Sequence, residues 1–280
     1  MPSDTPADAP ERAPEQPPVP RDTAGLLQLL TADPGRPRLT WYGDDGERVE
    51  LSGAVLANWV AKTTNLLVEE LDAGPGTRVG SDLPPHWRTV LWALATWRAG
   101  ATLVVPAAAP DEVPGEVPDD LPDEVPDDVD VLVTTSAPAA PTRAALVVVT
   151  LAALARRADG PLPAGAVDAA AAVMTYADQL GWVPPGEPAR AALTTTPEDP
   201  TSPVSHADLA TWWSGEDAPR ARVLLAPRTG VAGWLRDVAR VLAADGSLVL
   251  LSPARAARLA QDDAERERLV TTERVTRTAL

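Results

Sequence analysis

Apolar positions along this chain switch between helical and extended spacing, and the switches predict its elements. In RVGSDLPPHWRTVLWALATWRAGATLVVP, from Arg78 to Pro106, a short extended segment opens at Val79. It stops at Pro84 and Pro85, where a helix can begin. Trp87, Val90, Leu91, Leu94 and Trp97 then recur at three- and four-residue spacing, which places them on one buried helical face. Gly100 caps that helix, and Ala101 to Val105 is a brief apolar run suited to a strand covered on both faces. Two strands joined through a helix pair in parallel with a right-handed crossover, so the predicted fold class is α/β with a largely parallel sheet and flanking helices.

The same reading extends in both directions. Gly25 to Ala32 predicts a short helix, and Arg38 to Tyr42 with Glu47 to Leu51 a hairpin around GDDG. Ser52 is the expected N-cap of a second helix whose apolar stripe is Val55, Leu56, Trp59, Val60, Leu66 and Leu67. The GPG at 74–76 ends it. GPGTRVG is read as cap and turn, because a phosphate loop opens a helix whereas this one leads into a strand. Strands are predicted at Val129 to Thr134 and Ala145 to Thr150, with helices at Leu151 to Ala158 and across AVDAAAAVMTYADQL.

Composition adds limits. Residues 1–21 are rich in Pro and acids and poor in bulky apolar groups, which predicts a disordered tail before a single α/β domain at 22–280. Within that domain, residues 110–128 form an acidic loop with proline at every fourth position, which blocks helix and central strand alike. The net charge of −16 argues against a nucleic-acid partner, and residues 111–130 alone hold ten of the forty acids. Without cysteine, thiolate metal sites, disulfides and a cysteine nucleophile are excluded. No charged-then-apolar leader or long apolar run is present, so the expectation is a cytoplasmic protein without a membrane span. Abundant Ala, Arg, Pro and Gly fit a GC-rich bacterial genome.

From Leu39 to Pro106 the chain resembles the start of the adenylate-forming enzymes, the superfamily of AMP-dependent acyl-CoA synthetases, nonribosomal peptide adenylation domains and luciferases, here of an actinobacterial type. LTWYGDDGERVELSGAVLANWVAKTTNLL, GPGTRVG, LPPHW and WRAGATLVVP stand in order for the opening pieces of that family's N-terminal domain. RVLLAPRTGVAGWLRDVARVLAADGSLVLLSP is similar to a later strand, turn, helix and strand, with Arg228, Thr229 and Gly230 in a turn that carries histidine in relatives. The resemblance implies a truncated chain, because the family's adenine, ribose and magnesium motifs and its catalytic lysine belong beyond ERVTRTAL.

The family's phosphate loop resembles T-S-G-T-T-G-x-P-K-G-V followed by H-x-x-L. Anchored on His206 to Leu209, the comparable residues ALTTTPEDPTSPVSHADL keep Thr195 and Thr196 and lose the rest. Pro197 replaces a glycine, Pro200 the lysine and Thr201 the last glycine. Each proline removes an N–H donor, and Glu198 and Asp199 add negative charge. Two unit charges about 4 Å apart repel by roughly 4 kcal/mol at an effective dielectric near 20. Thr195, Thr196, Pro197, Pro200, Thr201 and His206 are therefore a degenerate phosphate loop where ATP binding is not expected. The bland readings are a strand end and turn for Thr194 to Thr196 and a helix-entry or packing residue for His206.

Other chemistry is thin. Lys62 is the single lysine, on an early amphipathic helix, where surface solubilisation is its expected role. His86 and His206 are too few for a metal site, His86 is read as a helix-entry residue, and no nucleophile elbow or zinc motif is present. Asp178, Glu187, Glu198, Asp199 and Asp208 are the acids available for pairing, and at this density solvated acids are the rule. Adjacent Trp212 and Trp213 cannot both face inward on one helix. The expectation is a noncatalytic binding or interaction module without catalytic residues, metal or cofactor, taking an unknown protein partner or a small carboxylate or acyl ligand. Two alternatives stand beside it: a half-enzyme for acyl or amino-acid adenylation that borrows the missing parts from a partner chain, and a structural protein with its Trp residues on an interaction face.

Overall fold

The computed structural model describes residues 19–44, 46–107, 128–138, 142–196, 203–228 and 230–279. The tail expected at 1–21 therefore falls mostly outside the described residues, as do the proline repeat at 110–127 and Pro197 to Ser202.

The chain opens with α1 (Thr23–Thr31), the hairpin β1 (Pro37–Tyr42) and β2 (Arg48–Ser52), and α2 (Gly53–Glu69). Ser52 caps α2 through a hydrogen bond from the Val55 amide, as its hydroxyl predicts. The central unit is β3 (Arg78–Ser81), α3 (Trp87–Ala99) and β4 (Thr102–Pro106), with β3 and β4 parallel. His86 starts α3, its Nδ1 accepting from the Arg88 amide at 3.2 Å, and Gly100 ends it at φ +81°, which glycine adopts without strain.

Next come β5 (Val131–Thr134), β6 (Ala145–Val148), β7 (Val167–Asp168), α4 (Ala169–Ala172), β8 (Ala191–Thr196), β9 (Val204–Ser205) and α5 (Leu209–Trp212). The chain then continues through β10 (Arg222–Leu225), α6 (Val231–Ala243), β11 (Ser247–Leu251), α7 (Pro253–Gln261), α8 (Asp263–Thr272) and β12 (Arg277–Ala279). A seven-stranded sheet has the order β7-β6-β5-β3-β4-β8-β9 and is parallel except for the β8/β9 hairpin. A five-stranded sheet has the order β12-β10-β11-β1-β2 and is parallel except for β1/β2. One buried cluster joins them, with Leu39 and Trp41 of β1, Leu91 and Leu94 of α3, Leu103 of β4 and Leu248 of β11. Burying side chains of this size stabilises by about 1.5–3 kcal/mol each before chain entropy is counted.

Several expectations are corrected. The helix α3 is buried on all sides except at Arg98, with Arg88, Thr89 and Thr96 buried along with its leucines. Residues 151–158 form turns instead of a helix, because tertiary partners take their backbone groups. Arg88 donates to the carbonyls of Leu151 and Ala152, and the Ala153 amide donates to Glu47 Oε1 at 2.8 Å. The alanine-rich run is helical only over α4 and a 3₁₀ turn at Val173–Thr175, since Lys62 and Asn65 bind the carbonyls of Tyr176, Ala177 and Gln179 that a longer helix would use or cover. Val55 points outward at the edge of its stripe. Trp213 is buried and Trp212 partly so, and both pack on Trp97 at 6.5 and 5.8 Å because α5 stops between them. Trp41, Trp87, Trp92, Trp97, Trp213 and Trp234 are all core residues, and Trp182 is the exposed one, so the tryptophans do not form an interaction face. No helix among the described residues is long and apolar enough to cross a membrane.

Candidate functional site

The carboxyl ends of β3, β4, β5 and β8 lie side by side, and chain direction across the sheet reverses there, since β4 and β5 flank β3 on opposite sides. Open parallel sheets bind ligands at such a reversal. Pro106 pairs with Thr196 at this edge, and the Ala107 amide donates to the Thr196 carbonyl at 2.9 Å. Thr194 and Thr195 are buried within β8, and Thr196 is half-buried at its end. The chain thus leaves β8 toward Pro197, Pro200 and Thr201 from the carboxyl edge of the sheet; those three lie outside the described residues.

His206 is not brought to that edge. The β8/β9 hairpin pairs Ala191 with Ser205, and the His206 amide donates to the Arg190 carbonyl at 2.9 Å. His206 therefore sits beyond the amino end of β8, five strand residues from Thr196. At about 3.3 Å per residue that is roughly 16 Å. Burial pushes its imidazole below the ordinary value, partly offset by backbone groups of Ala101 and Gly100. The motif alignment placed His206 with the two threonines in sequence; the hairpin separates them in space.

Other candidates are spoken for. His86 is buried between Trp41 and Trp87, at ring distances of 4.5 and 5.6 Å, and burial with the nearby Arg88 charge pulls its pKa down to about 3. It is neutral at pH 7 and seals the start of α3. Glu187 pairs with Arg190 at 2.9 Å, and Asp208 accepts from the Ser205 hydroxyl at 2.6 Å. Arg228, in the turn before α6, pairs with Asp237. Lys62 is not a solubilising surface residue: only 16% of its side chain is exposed, with Nζ 2.7 Å from Asp178 Oδ1 and 2.6 Å from the Tyr176 carbonyl.

Sequence reasoning missed two acids. Asp82 follows β3 at the same carboxyl edge, where burial pushes its carboxyl pKa up. Its Oδ2 accepts from the Thr134 hydroxyl at 2.8 Å, while Oδ1 is buried without a partner. The available signal was position, an acid directly after a parallel strand. Glu273 is the second: burial alone would raise its pKa, but hydrogen bonds from Tyr42, Arg222 and Arg48 hold it below the ordinary value. It clamps β1, β2 and β10 to the turn after α8.

Comparison with solved structures decides the fold. An artificially fused adenylation and carrier di-domain, NpsA-ThdA from Klebsiella oxytoca, superposes with a TM-score of 0.63 at 13% identity, over 93% of this chain and 43% of its own. A Mycobacterium tuberculosis fatty acyl CoA synthetase matches with a TM-score of 0.59 at 17% identity, over 92% and 49%. The chain has the adenylate-forming fold. It is also similar to an amide bond synthetase from Marinactinospora thermotolerans, with a TM-score of 0.56 and 16% identity over 92% of this chain and 48% of that one. The chain thus spans less than half the length of these solved adenylate-forming structures. A curated Mycobacterium tuberculosis protein, whose name states no activity, is 38% identical over 156 residues, covering 55% of this chain and 60% of its own. No protein-family model matches the chain.

Between Thr196 and the serine at 202 the chain offers two prolines without an N–H, two carboxylates and no lysine.

Proposed function

We propose that this chain uses the adenylate-forming fold as a binding module, for a protein partner or a small carboxylate-bearing ligand, and does not itself transfer an adenylyl group. The observation that carries the reading is the fate of its single lysine. Lys62 lies on α2, its ammonium engaged by Asp178 and the Tyr176 carbonyl, and that engagement supports a scaffolding role for it. Arginine elsewhere would not supply the compact, rotatable ammonium that a lysine places against an acyl phosphate. The residues from Pro197 to Pro200 support the same reading, because they withdraw donors and add negative charge where phosphate would lie.

The test is carboxylate-dependent exchange of labelled pyrophosphate into ATP by the purified chain, across a panel of fatty and amino acids. The expected rate equals that of a boiled control. Exchange above that control that is abolished by replacing Thr195 and Thr196 with valine would overturn the proposal.

A further inference from the structure

A small cavity lies between α2, α3, α4 and the end of β6, a strand that three others separate from β8. At about 10 Å³ it has room for one occupant of roughly water size. Leu91, Val149 and Val173 supply apolar wall. The polar lining is Trp59 and Thr63 of α2, Arg88 and Trp92 of α3, and Thr150 just after β6, with no acidic side chain among them.

These polar groups lack partners. Thr63 and Trp92 are 2% and 4% exposed, yet the Thr63 hydroxyl and the Trp92 indole N–H hydrogen-bond to nothing among the described residues. Both atoms keep accessible surface, unlike the unpartnered indole N–H of Trp87, which is sealed in the core. The Trp59 indole N–H and the Thr150 hydroxyl, on half-buried residues, are likewise unpartnered and unsealed.

Arg88 brings the charge. Burial pulls its pKa down to about 10, which leaves it a cation at pH 7. Its Nε and one terminal nitrogen donate to the Leu151 and Ala152 carbonyls, and the other terminal nitrogen has no acceptor among the described residues. It forms no ion pair there either. Glu47 attracts it from a distance, but the Glu47 oxygens are taken by the Trp41 indole and the Ala153 amide. The rings of Trp87 and Trp59, at 4.4 and 5.9 Å, stabilise the guanidinium only in part.

Donors and charge together select the class of occupant. A buried cation without a counter-ion is costly, and here it borders a cavity together with two indoles that can only donate and two hydroxyls that can turn to donate. A water would have to place its own hydrogens among these donors. A halide only accepts, and it carries the missing charge; carboxylates and phosphates are too large for the space. We infer that the cavity binds a single small anion of the halide class, chloride in ordinary salt, against Arg88, with Trp92, Thr63 and Thr150 completing its shell. Bound there, the anion ties α2 and α3 to the segment after β6 and makes the stability of the fold depend on halide.

This site is independent of whether the chain carries out adenylation. The experiment titrates the ¹⁵N-labelled full chain with sodium chloride and sodium bromide, with sodium gluconate holding ionic strength constant. The Trp59 and Trp92 indole signals, assigned by Trp59→Phe and Trp92→Phe, are followed, and urea denaturation is measured across the same series. The inference expects saturable shifts of these two signals with both halides, unmoved signals from Trp213 and Trp234, and a denaturation midpoint that rises with halide. Arg88→Met is expected to abolish both responses. Thr63→Val, which keeps shape and removes the hydroxyl, is expected to keep the fold and weaken halide binding about fivefold. A water in the cavity would leave the signals and the midpoint indifferent to halide up to about 300 mM, which would overturn the inference. So would a linear drift shared by all indole signals, the mark of surface screening, or unchanged halide affinity in Thr63→Val.

Discussion

Lys62 Nζ stands 2.7 Å from Asp178 Oδ1, which ties the middle of α2 to the irregular segment after the 3₁₀ turn. The same ammonium donates to the Tyr176 carbonyl, and Asn65, one turn along α2, holds Ala177, Gln179 and Gly181. The contact is a seam between a helix and a segment that has little regular structure of its own.

Lys62→Met is therefore expected to destabilise the fold by about 1–2 kcal/mol, mostly through the lost charge-assisted bond to the buried end of the seam. Asp178 is 61% exposed, so Asp178→Asn should cost less than about 1 kcal/mol. Urea denaturation of the two variants checks both values.

Leu91→Ala and Leu94→Ala should each cost about 2–5 kcal/mol, because both leucines are 2% exposed within the cluster that joins the two sheets. Chemical denaturation midpoints measure it, and near-unchanged midpoints for both would contradict the packing of α3.

The neutral His86 predicts acid sensitivity. Its pKa in the folded chain is about 3 against 6.5 unfolded, so the unfolded state binds more protons between those values. Stability contributed by this group is present above pH 6.5 and is lost as pH falls toward 3, with a slope of up to about 1.4 kcal/mol per unit. Glu273 acts with the same sign at lower pH, because its pKa is depressed in the fold and its ion pairs are lost as it protonates. His86→Asn keeps a cap for α3 and removes the titration, so denaturation from pH 7 to 4.5 should show a flatter loss in that variant.

Much of this fold was legible because local signals and burial agreed. Ser52, Gly100 and the spacing from Trp87 to Trp97 marked α2 and α3 correctly, and the apolar run at 101–105 marked β4. The failures at 151–158 and 166–180 share a cause: backbone groups there are claimed by Arg88, Glu47, Lys62 and Asn65, residues far away in sequence that no local pattern reports. Polar Arg88 and Thr89 hid that α3 is buried beyond its apolar face. At the candidate site, chemistry was readable from Pro197 to Pro200, whereas the register that carries His206 to the opposite end of β8 was not.

The proposed binding module is expected to lack a triphosphate site. Calorimetric titration of the purified chain with ATP and magnesium tests it most directly, alongside a variant in which residues 197–201 read GKPKG. The account predicts no measurable heat for the natural chain and at most weak binding for the variant. A micromolar Kd for the natural chain, about −8 kcal/mol, would contradict it, because Pro197 and Pro200 lack an N–H and Glu198 and Asp199 bring negative charge against a triphosphate.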